Sequence, residues 1–336
     1  MTATASGPVI SAVGLTKTFR IFDRRPGLGG AIQDIFARRH RLLTAVSEVT
    51  LAIGRGEAIG YIGPNGAGKS TTIKMLTGIM TPSAGTIRVN GFDPQRERAR
   101  YVHTVGAVFG QRSQLWWDLA VGESFDLLRH LYDVPKADFA ARLKRFDQVL
   151  ELGEFLRTPV RKLSLGQRMK ADLAASLLHN PPVLFLDEPT VGVDVVTKTR
   201  LRGFLTELNR EQGTTILLTT HDMQDIEALC RRVVVIDHGR IMHDGDLDAL
   251  KARYGARRLL QLTLHAPVVL AELDLPRDGV EWTQKSPVEL AARIGAGADS
   301  AAVLQQCLGR LRVADVSIED APIEEVVAAL YGGRAG

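Results

Sequence analysis

Eight consecutive residues constrain this chain more than any others: Gly63-Pro64-Asn65-Gly66-Ala67-Gly68-Lys69-Ser70, followed by Thr71. The apolar run Ala58 to Ile62 leads into them, and Lys69 to Thr77 reads as a helix. Strand, glycine-rich loop and helix in that order are what a phosphate-binding loop requires. The glycines let backbone N–H groups close around phosphates, and the helix N-terminus favours negative charge. Lys69 would reach the β- and γ-phosphates, and Ser70 would offer its hydroxyl to Mg²⁺. Chance gives this pattern in about one chain in a hundred of this length. The strand and helix on either side leave little room for an ordinary glycine turn, so the segment reads as a nucleotide site.

A second segment, Val183-Leu-Phe-Leu-Asp187-Glu188-Pro189, supplies the partner. An apolar strand ending in two carboxylates sets them where a Mg²⁺–nucleotide would lie. Asp187 suits the metal, because Mg²⁺ prefers oxygen ligands and keeps several waters. Glu188, one residue on, is placed to polarise an attacking water. A lone Asp-Glu pair at a strand end is more often two solvated acids; the phosphate loop upstream reverses that preference.

Short β-rich runs alternate with helical patterns around these motifs, which predicts an α/β domain. Val9 to Arg20, Val46 to Ile53, Thr86 to Asn90, Val183 to Leu186, Thr215 to Thr219 and Val233 to Ile236 read as strands. Between about 113 and 180 the pattern turns helical, as in Phe139 to Leu152, and reads as a helical subdomain. The segment at about 20–44 looks like a basic insert: Arg20 to Arg41 holds six arginines against Asp23 and Asp34. In it Ile32, Ile35, Phe36, Leu42 and Leu43 are expected on one face of a short helix. It reads as a solvated or partner-touching helix rather than one lying on an anionic membrane surface. Residues 1–254 form the expected nucleotide-binding domain and 255–336 a small α+β accessory domain, of β-α-β-β-α-β type. Its strands are expected at Leu259 to Leu264, Val280 to Thr283, Val288 to Ile294 and Val313 to Ile318, and its helices at Ala298 to Leu311 and Ile323 to Leu330.

Composition narrows the setting. Hydrophobic residues at 45% exclude a disordered chain, and no run approaches the ~18 apolar residues of a membrane span. The first fifteen residues lack the basic start and apolar stretch of a signal peptide. Cys230 and Cys307 are no disulfide framework, which fits a reducing cytoplasm. A net charge of +4 is too mild to imply nucleic acid, and none is expected as a partner.

Between the two nucleotide motifs stands Leu163-Ser164-Leu165-Gly166-Gln167-Arg168, which resembles the signature motif of ATP-binding cassette (ABC) ATPases. The likeness covers about residues 8 to 250 and runs through several motifs in order. It implies a P-loop NTPase of ABC type, with an antiparallel β subdomain and a helical subdomain. Phe19 matches the family's adenine-stacking aromatic, Gln111 the glutamine-loop residue that reaches Mg²⁺ and the attacking water, Asp194 the D-loop, and His221 the switch histidine at the γ-phosphate. In this family two cassettes close head-to-tail around two ATPs. By resemblance Ser164, Gly166, Gln167 and Asp194 would act in trans, Glu188 as general base, and Gly63 to Thr71 as the loop on ATP, with Ser70, Gln111 and Asp187 at Mg²⁺. The partners implied are a second cassette and separate membrane permease subunits, at the cytoplasmic face of the cell membrane.

Leu165 departs from the family's usual Leu-Ser-Gly-Gly-Gln. Leu-Ser-Leu-Gly-Gln-Arg together with Gln111-Arg-Ser-Gln-Leu-Trp-Trp-Asp118 is similar to a drug-exporter branch that includes viologen exporters. The resemblance therefore implies an exporter ATPase. An importer ATPase shares every nucleotide motif and stands as the alternative. A soluble relative acting on DNA or ribosomes fits less well, because there is no room for a long coiled coil and only one cassette. Of Trp116 and Trp117, one is expected in the core and the other at a docking surface.

Overall fold

A computed structural model of the chain describes residues 7–22, 40–110, 113–254, 258–295 and 298–320. Gln111, most of the basic insert and the expected helix Ile323 to Leu330 lie outside the described residues. The chain divides into two compact units, 1–244 and 245–336. That division falls ahead of the helix Leu247–Tyr254, whereas the sequence reading put the boundary after it.

The first unit begins with β1 (Ile10–Phe22), β2 (His40–Ile53), β3 (Ala58–Ile62), helix α1 (Lys69–Leu76) and β4 (Ala84–Val89). A short helix α2 (Arg98–Tyr101) leads to β5 (Val105–Phe109). Three helices follow: α3 (Val121–Leu131), α4 (Lys136–Leu150) and α5 (Leu165–Leu177). The chain then returns to β6 (Val183–Asp187), α6 (Val195–Gln212), β7 (Thr215–Thr219), α7 (Met223–Leu229), β8 (Arg232–Asp237) and β9 (Arg240–Asp246).

Two sheets result. One is three-stranded and antiparallel, in the order β2-β1-β4. The other has the order β5-β6-β7-β3-β8-β9, and its neighbours from β5 to β8 are parallel. Every residue of β6 and β7 is buried, which is why these strands read as unbroken apolar runs instead of alternating ones. One core joins the two sheets through α1: Ile10, Leu51 and Ile53 share it with Ile73, Met75 and Phe185. Each such side chain contributes about 1.5–3 kcal/mol by leaving water. Helix α5 buries Met169, Asp172, Leu173, Ser176 and Leu177, the i, i+3, i+4, i+7, i+8 stripe of a helix against a core.

Leu42 and Leu43 are strand residues, contrary to the helical face expected of them. They stand opposite Arg20 and Phe19 in the β1–β2 pair, and as neighbours in a strand they point to opposite faces. The arginines around them interrupt the alternation by which a strand is recognised.

The second unit holds α8 (Leu247–Tyr254), β10 (Arg258–Leu264), β11 (Val280–Ser286), β12 (Glu289–Ile294), α9 (Ser300–Arg310) and β13 (Val313–Asp320). Its antiparallel sheet has the order β11-β12-β10-β13. Leu260, Leu262, Leu290 and Ile294 pack with Val303 and Cys307 of α9. The expected β-α-β-β-α-β order is not met among the described residues. Between β10 and β11 the chain makes only a 3-10 turn at Leu270–Glu272. Pro267 and Pro276 remove donors that a helix needs there, and Gly279 sits at φ 67°.

If the division holds, a chain ending at Asp246, where β9 ends, should keep its affinity for a labelled ATP and unfold within about 4 °C of the full chain's corresponding transition. Equilibrium binding and calorimetry check this; loss of both binding and cooperative unfolding would contradict it.

Candidate functional site

The phosphate loop leaves the C-terminal end of β3 and turns into α1 through Gly68, at φ 105°. It is wedged between two strands. A Cβ on Gly63 would lie 2.3 Å from the Ile236 carbonyl oxygen, and one on Gly68 would lie 2.4 Å from that of Ala45. Only glycine fits at either place. Pro64, Asn65 and Gly66 are exposed at the loop's tip, while Ala67, Gly68 and Lys69 are buried and Ser70 and Thr71 half-buried.

Lys69 bends back over this loop. Its Nζ donates to the carbonyl oxygens of Gly63 at 2.6 Å and Pro64 at 3.1 Å. Burial pulls its pKa below the ordinary lysine value, and the charges of Glu188 and Asp187 oppose that shift. The ammonium therefore faces both carboxylates that the sequence singled out.

Those carboxylates sit where β6 and β7 end side by side, with Asp187 paired in register with Thr219. Asp187 Oδ1 accepts from Thr219 Oγ1 at 2.6 Å and from Ser70 Oγ at 3.2 Å. Glu188 adopts a left-handed backbone at φ 57°, which costs a non-glycine residue about 1–2 kcal/mol. Its N–H donates to the Thr219 carbonyl, which holds the turn. The strain directs its side chain to His221, whose Nε2 lies 2.7 Å from Glu188 Oε1. Asp187, Glu188, Lys69, Ser70 and His221 thus converge on one mouth.

The other candidates lie apart from it or outside the described residues. Phe19 is half-buried in β1, with Lys17 Nζ 5.4 Å from its ring centroid. Ser164 and Gln167 cap their own helix reciprocally: Gln167 N–H donates to Ser164 Oγ at 3.2 Å, and Ser164 N–H to Gln167 Oε1 at 3.0 Å. Ser-x-x-Gln ahead of a helix is a capping-box pattern, so this role was legible in the sequence and went unread. Asp194 caps α6 by accepting from Thr197 N–H at 2.9 Å, and that bonding holds its carboxyl below the ordinary value. A Cβ on Gly166 would stand 2.9 Å from the Gly192 carbonyl oxygen. Leu165, in turn, covers Gly192, where a Cβ would meet Leu165 Cδ2 at 2.5 Å. The side chain that departs from the family pattern therefore packs on the neighbouring loop.

Both Trp116 and Trp117 are exposed, at 43% and 52%. The expected split between core and surface fails because Leu115 takes the buried place.

Sequence reasoning also missed the support beneath His221. Asp225 is buried and accepts from Thr190 Oγ1 at 2.7 Å, Thr220 Oγ1 at 3.1 Å and Arg202 Nε at 2.5 Å. Asp222 takes Lys198 at 2.9 Å and Arg202 at 3.1 Å. Two carboxylates and one arginine so lock the loops after β6 and β7 to α6.

A glycine loop wedged at a strand–helix junction, facing two carboxylates at the end of the next strand but one in the same sheet, defines a P-loop nucleotide-binding protein. Residues 46–191 match the ABC transporter family. Over 215 residues the chain is 33% identical to the ABC transporter ATP-binding protein NatA of Bacillus subtilis, covering 64% of this chain and 87% of that one. It is 36% identical to the daunorubicin resistance ATP-binding protein DrrA3 of Streptomyces coeruleorubidus, over 64% of this chain and 67% of the relative. It is 34% identical to the methionine import ATP-binding protein MetN 2 of Burkholderia pseudomallei, over 70% and 61%. A solved structure of an ATP-binding subunit of an ABC transporter superimposes with a TM-score of 0.62 at 26% identity, covering 73% of this chain and 93% of its own. The chain belongs to the ABC transporter ATP-binding family and is an ATPase.

Asp225→Ala should destabilise the fold by about 3–5 kcal/mol, because it strands the mostly buried Arg202 without its closest partner. Urea denaturation measures this. A cost below about 1 kcal/mol would show that the network is a surface ornament.

Proposed function

We propose that this chain is the ATP-hydrolysing subunit of a membrane exporter of drugs or other small molecules, driven by ATP-dependent closure of two cassettes. The observation that carries the catalytic part is the convergence of Lys69, Ser70, Asp187, Glu188 and His221 at one mouth. Gly63 to Thr71 wrap the phosphates, Lys69 moves from its own loop's carbonyls to the β- and γ-phosphates, and Phe19 offers its ring to adenine.

Ser70 and Asp187 bring two hard oxygens 3.2 Å apart, a donor set that fits Mg²⁺ held jointly with phosphate oxygens. Among the described residues no cluster of three or more His, Cys, Asp or Glu is poised for a metal. Gln111 is assigned to the same ion by resemblance. Once bound, Mg²⁺ would neutralise charge on the β- and γ-phosphates. Glu188 accepts a proton from the water that attacks the γ-phosphorus, as the bond to the bridging oxygen breaks. His221, hydrogen-bonded to Glu188, holds the transferred phosphoryl group.

The trans half of each site comes from the start of α5. Its capping box holds the 13-residue helix's N-terminus in place, with Ser164 and Leu165 exposed. That end carries partial positive charge suited to a partner's γ-phosphate. Val191, Val195 and Val196 expose apolar surface beside Asp194, as a face covered by a second cassette would.

No described helix is long and apolar enough to cross a membrane; separate permease chains are the proposed pathway. Trp116 and Trp117 are the anchors proposed for that permease, at the cytoplasmic face of the membrane. Similarity to DrrA3 and to the drug-exporter branch supports export. Similarity to MetN 2 supports an importer as the second reading, and flux direction in vesicles with the co-purified membrane subunits separates the two.

Lys69→Ala should abolish steady-state hydrolysis without lowering the unfolding midpoint. Glu188→Gln should bind ATP normally but turn it over about 10²- to 10⁴-fold more slowly, since an amide cannot accept the proton. Near-normal turnover in either folded variant would contradict the assignment.

A further inference from the structure

The loop after β5 and the helix α5 are joined by a buried carboxylate that the chemistry above does not use. Asp172 lies two turns into α5, on its inner face. Its Oδ1 accepts from Ser113 Oγ at 2.8 Å and from Gln114 N–H at 3.0 Å. Gln114 Nε2 donates to the Asp172 main-chain oxygen at 2.8 Å. Ser113 Oγ also accepts from Leu115 N–H at 3.1 Å, which shapes the turn into Trp116.

The same loop is fastened at further points. One turn before Asp172, the Arg168 guanidinium stands 5.8 Å from the Trp117 ring centroid. Arg161 N–H donates to the Trp117 carbonyl, Val160 N–H donates to that of Leu119, and the Arg161 guanidinium lies 3.1 Å from Asp118. Residues 113–119 are therefore tied both to α5 and to the turn just ahead of Ser164. On the near side, Gly110 N–H donates to the Asp187 carbonyl at 2.9 Å, next to the nucleotide mouth.

Asp172 is an awkward residue to keep in a core. Burial pushes its carboxyl up to about 6, although the hydrogen bonds from Ser113 and Gln114 and the charge of Arg168 pull it down. An apolar residue would stabilise this helix face without any such opposition. Each of the hydrogen bonds from that loop to Asp172 comes from two adjacent residues, Ser113 and Gln114, just ahead of the exposed tryptophans.

We propose that Asp172 is a positioning residue that makes the Trp116–Trp117 loop and the first turns of α5 one rigid piece. A displacement at the nucleotide mouth or at a docked partner is then delivered to Ser164, Gly166 and Gln167 together with the tryptophans. The inference rests on the reading of those residues as nucleotide contacts and of the tryptophans as a docking surface. Two anchored ends do not by themselves demonstrate coupling, so the test measures it.

The chain has three tryptophans, and Trp282→Phe leaves Trp116 and Trp117 as the only two. The full-length Trp282→Phe protein is titrated with Mg²⁺ and adenylyl imidodiphosphate. Tryptophan emission is read at saturation, and affinity is measured by competition with a labelled ATP. The expected result is an emission change that is mostly lost when Asp172→Ala is added, because the hydrogen bonds that carry it are removed. Affinity should stay within about twofold, well inside the effect of one lost hydrogen bond. Asp172→Asn should restore most of the change, because its amide oxygen still accepts from Ser113 and Gln114. Should Asp172→Ala not fold, Ser113→Ala carries the same test and should give an intermediate loss.

An undiminished emission change in Asp172→Ala would overturn the proposal. So would the absence of any change in Trp282→Phe that binds the analogue. Affinity falling in step with emission, with no rescue by Asn, would reduce Asp172 to a structural residue. Failure of Trp282→Phe to bind the analogue at all would instead bring down the nucleotide reading, and this inference with it.

Discussion

The phosphate loop has no room for a side chain on its protein side. At Gly63 and Gly68 the backbone of the loop touches the backbones at Ile236 and Ala45, at distances a Cβ would violate. This wedge fixes where the loop's N–H groups point and where α1 begins. It also requires β2 and β8 to close on the loop from two sides, so the antiparallel and parallel sheets must meet over one core. Sheet order then determines the rest. With β7 between β3 and β6, the ends of β6 and β7 present Asp187, Glu188, Thr219 and His221 side by side, across from Lys69 and Ser70.

Local strain and buried charge both occur at that mouth. Glu188 holds a left-handed backbone, and Lys69 is buried among the atoms of its own loop. The Arg202–Asp222–Asp225 network braces the loops on which Glu188 and His221 stand. Preorganised groups of this kind do not have to reorganise when charge develops on a transferring phosphoryl group.

What was legible in the sequence was what is encoded over short distances. The loop Gly63 to Ser70 and the run Val183 to Glu188 each combine a strand with its functional end, so their chemistry could be read directly. Ser164 and Gln167 carried two signals at once, and only the family likeness was read. Partners far apart in sequence were not visible. Nothing near Leu165 announces that it covers Gly192, and nothing near Asp172 points to Ser113. Leu42 and Leu43 belong to a strand whose two-residue period the flanking arginines hide. In the second unit the β-α-β-β-α-β type requires a helix after its first strand, and Pro267, Pro276 and Gly279 speak against one between β10 and β11.

We propose that this mouth is half of a site, completed by the N-terminal end of α5 from a second cassette. Light scattering on size-separated Glu188→Gln, with and without Mg-ATP, tests it most directly. Slow hydrolysis keeps ATP bound, and a ligand held by the associated state drives association by mass action. The expected result is the 36.6 kDa single-chain mass without nucleotide and a doubling of it with Mg-ATP. A chain saturated with ATP that remains at the single-chain mass would contradict it.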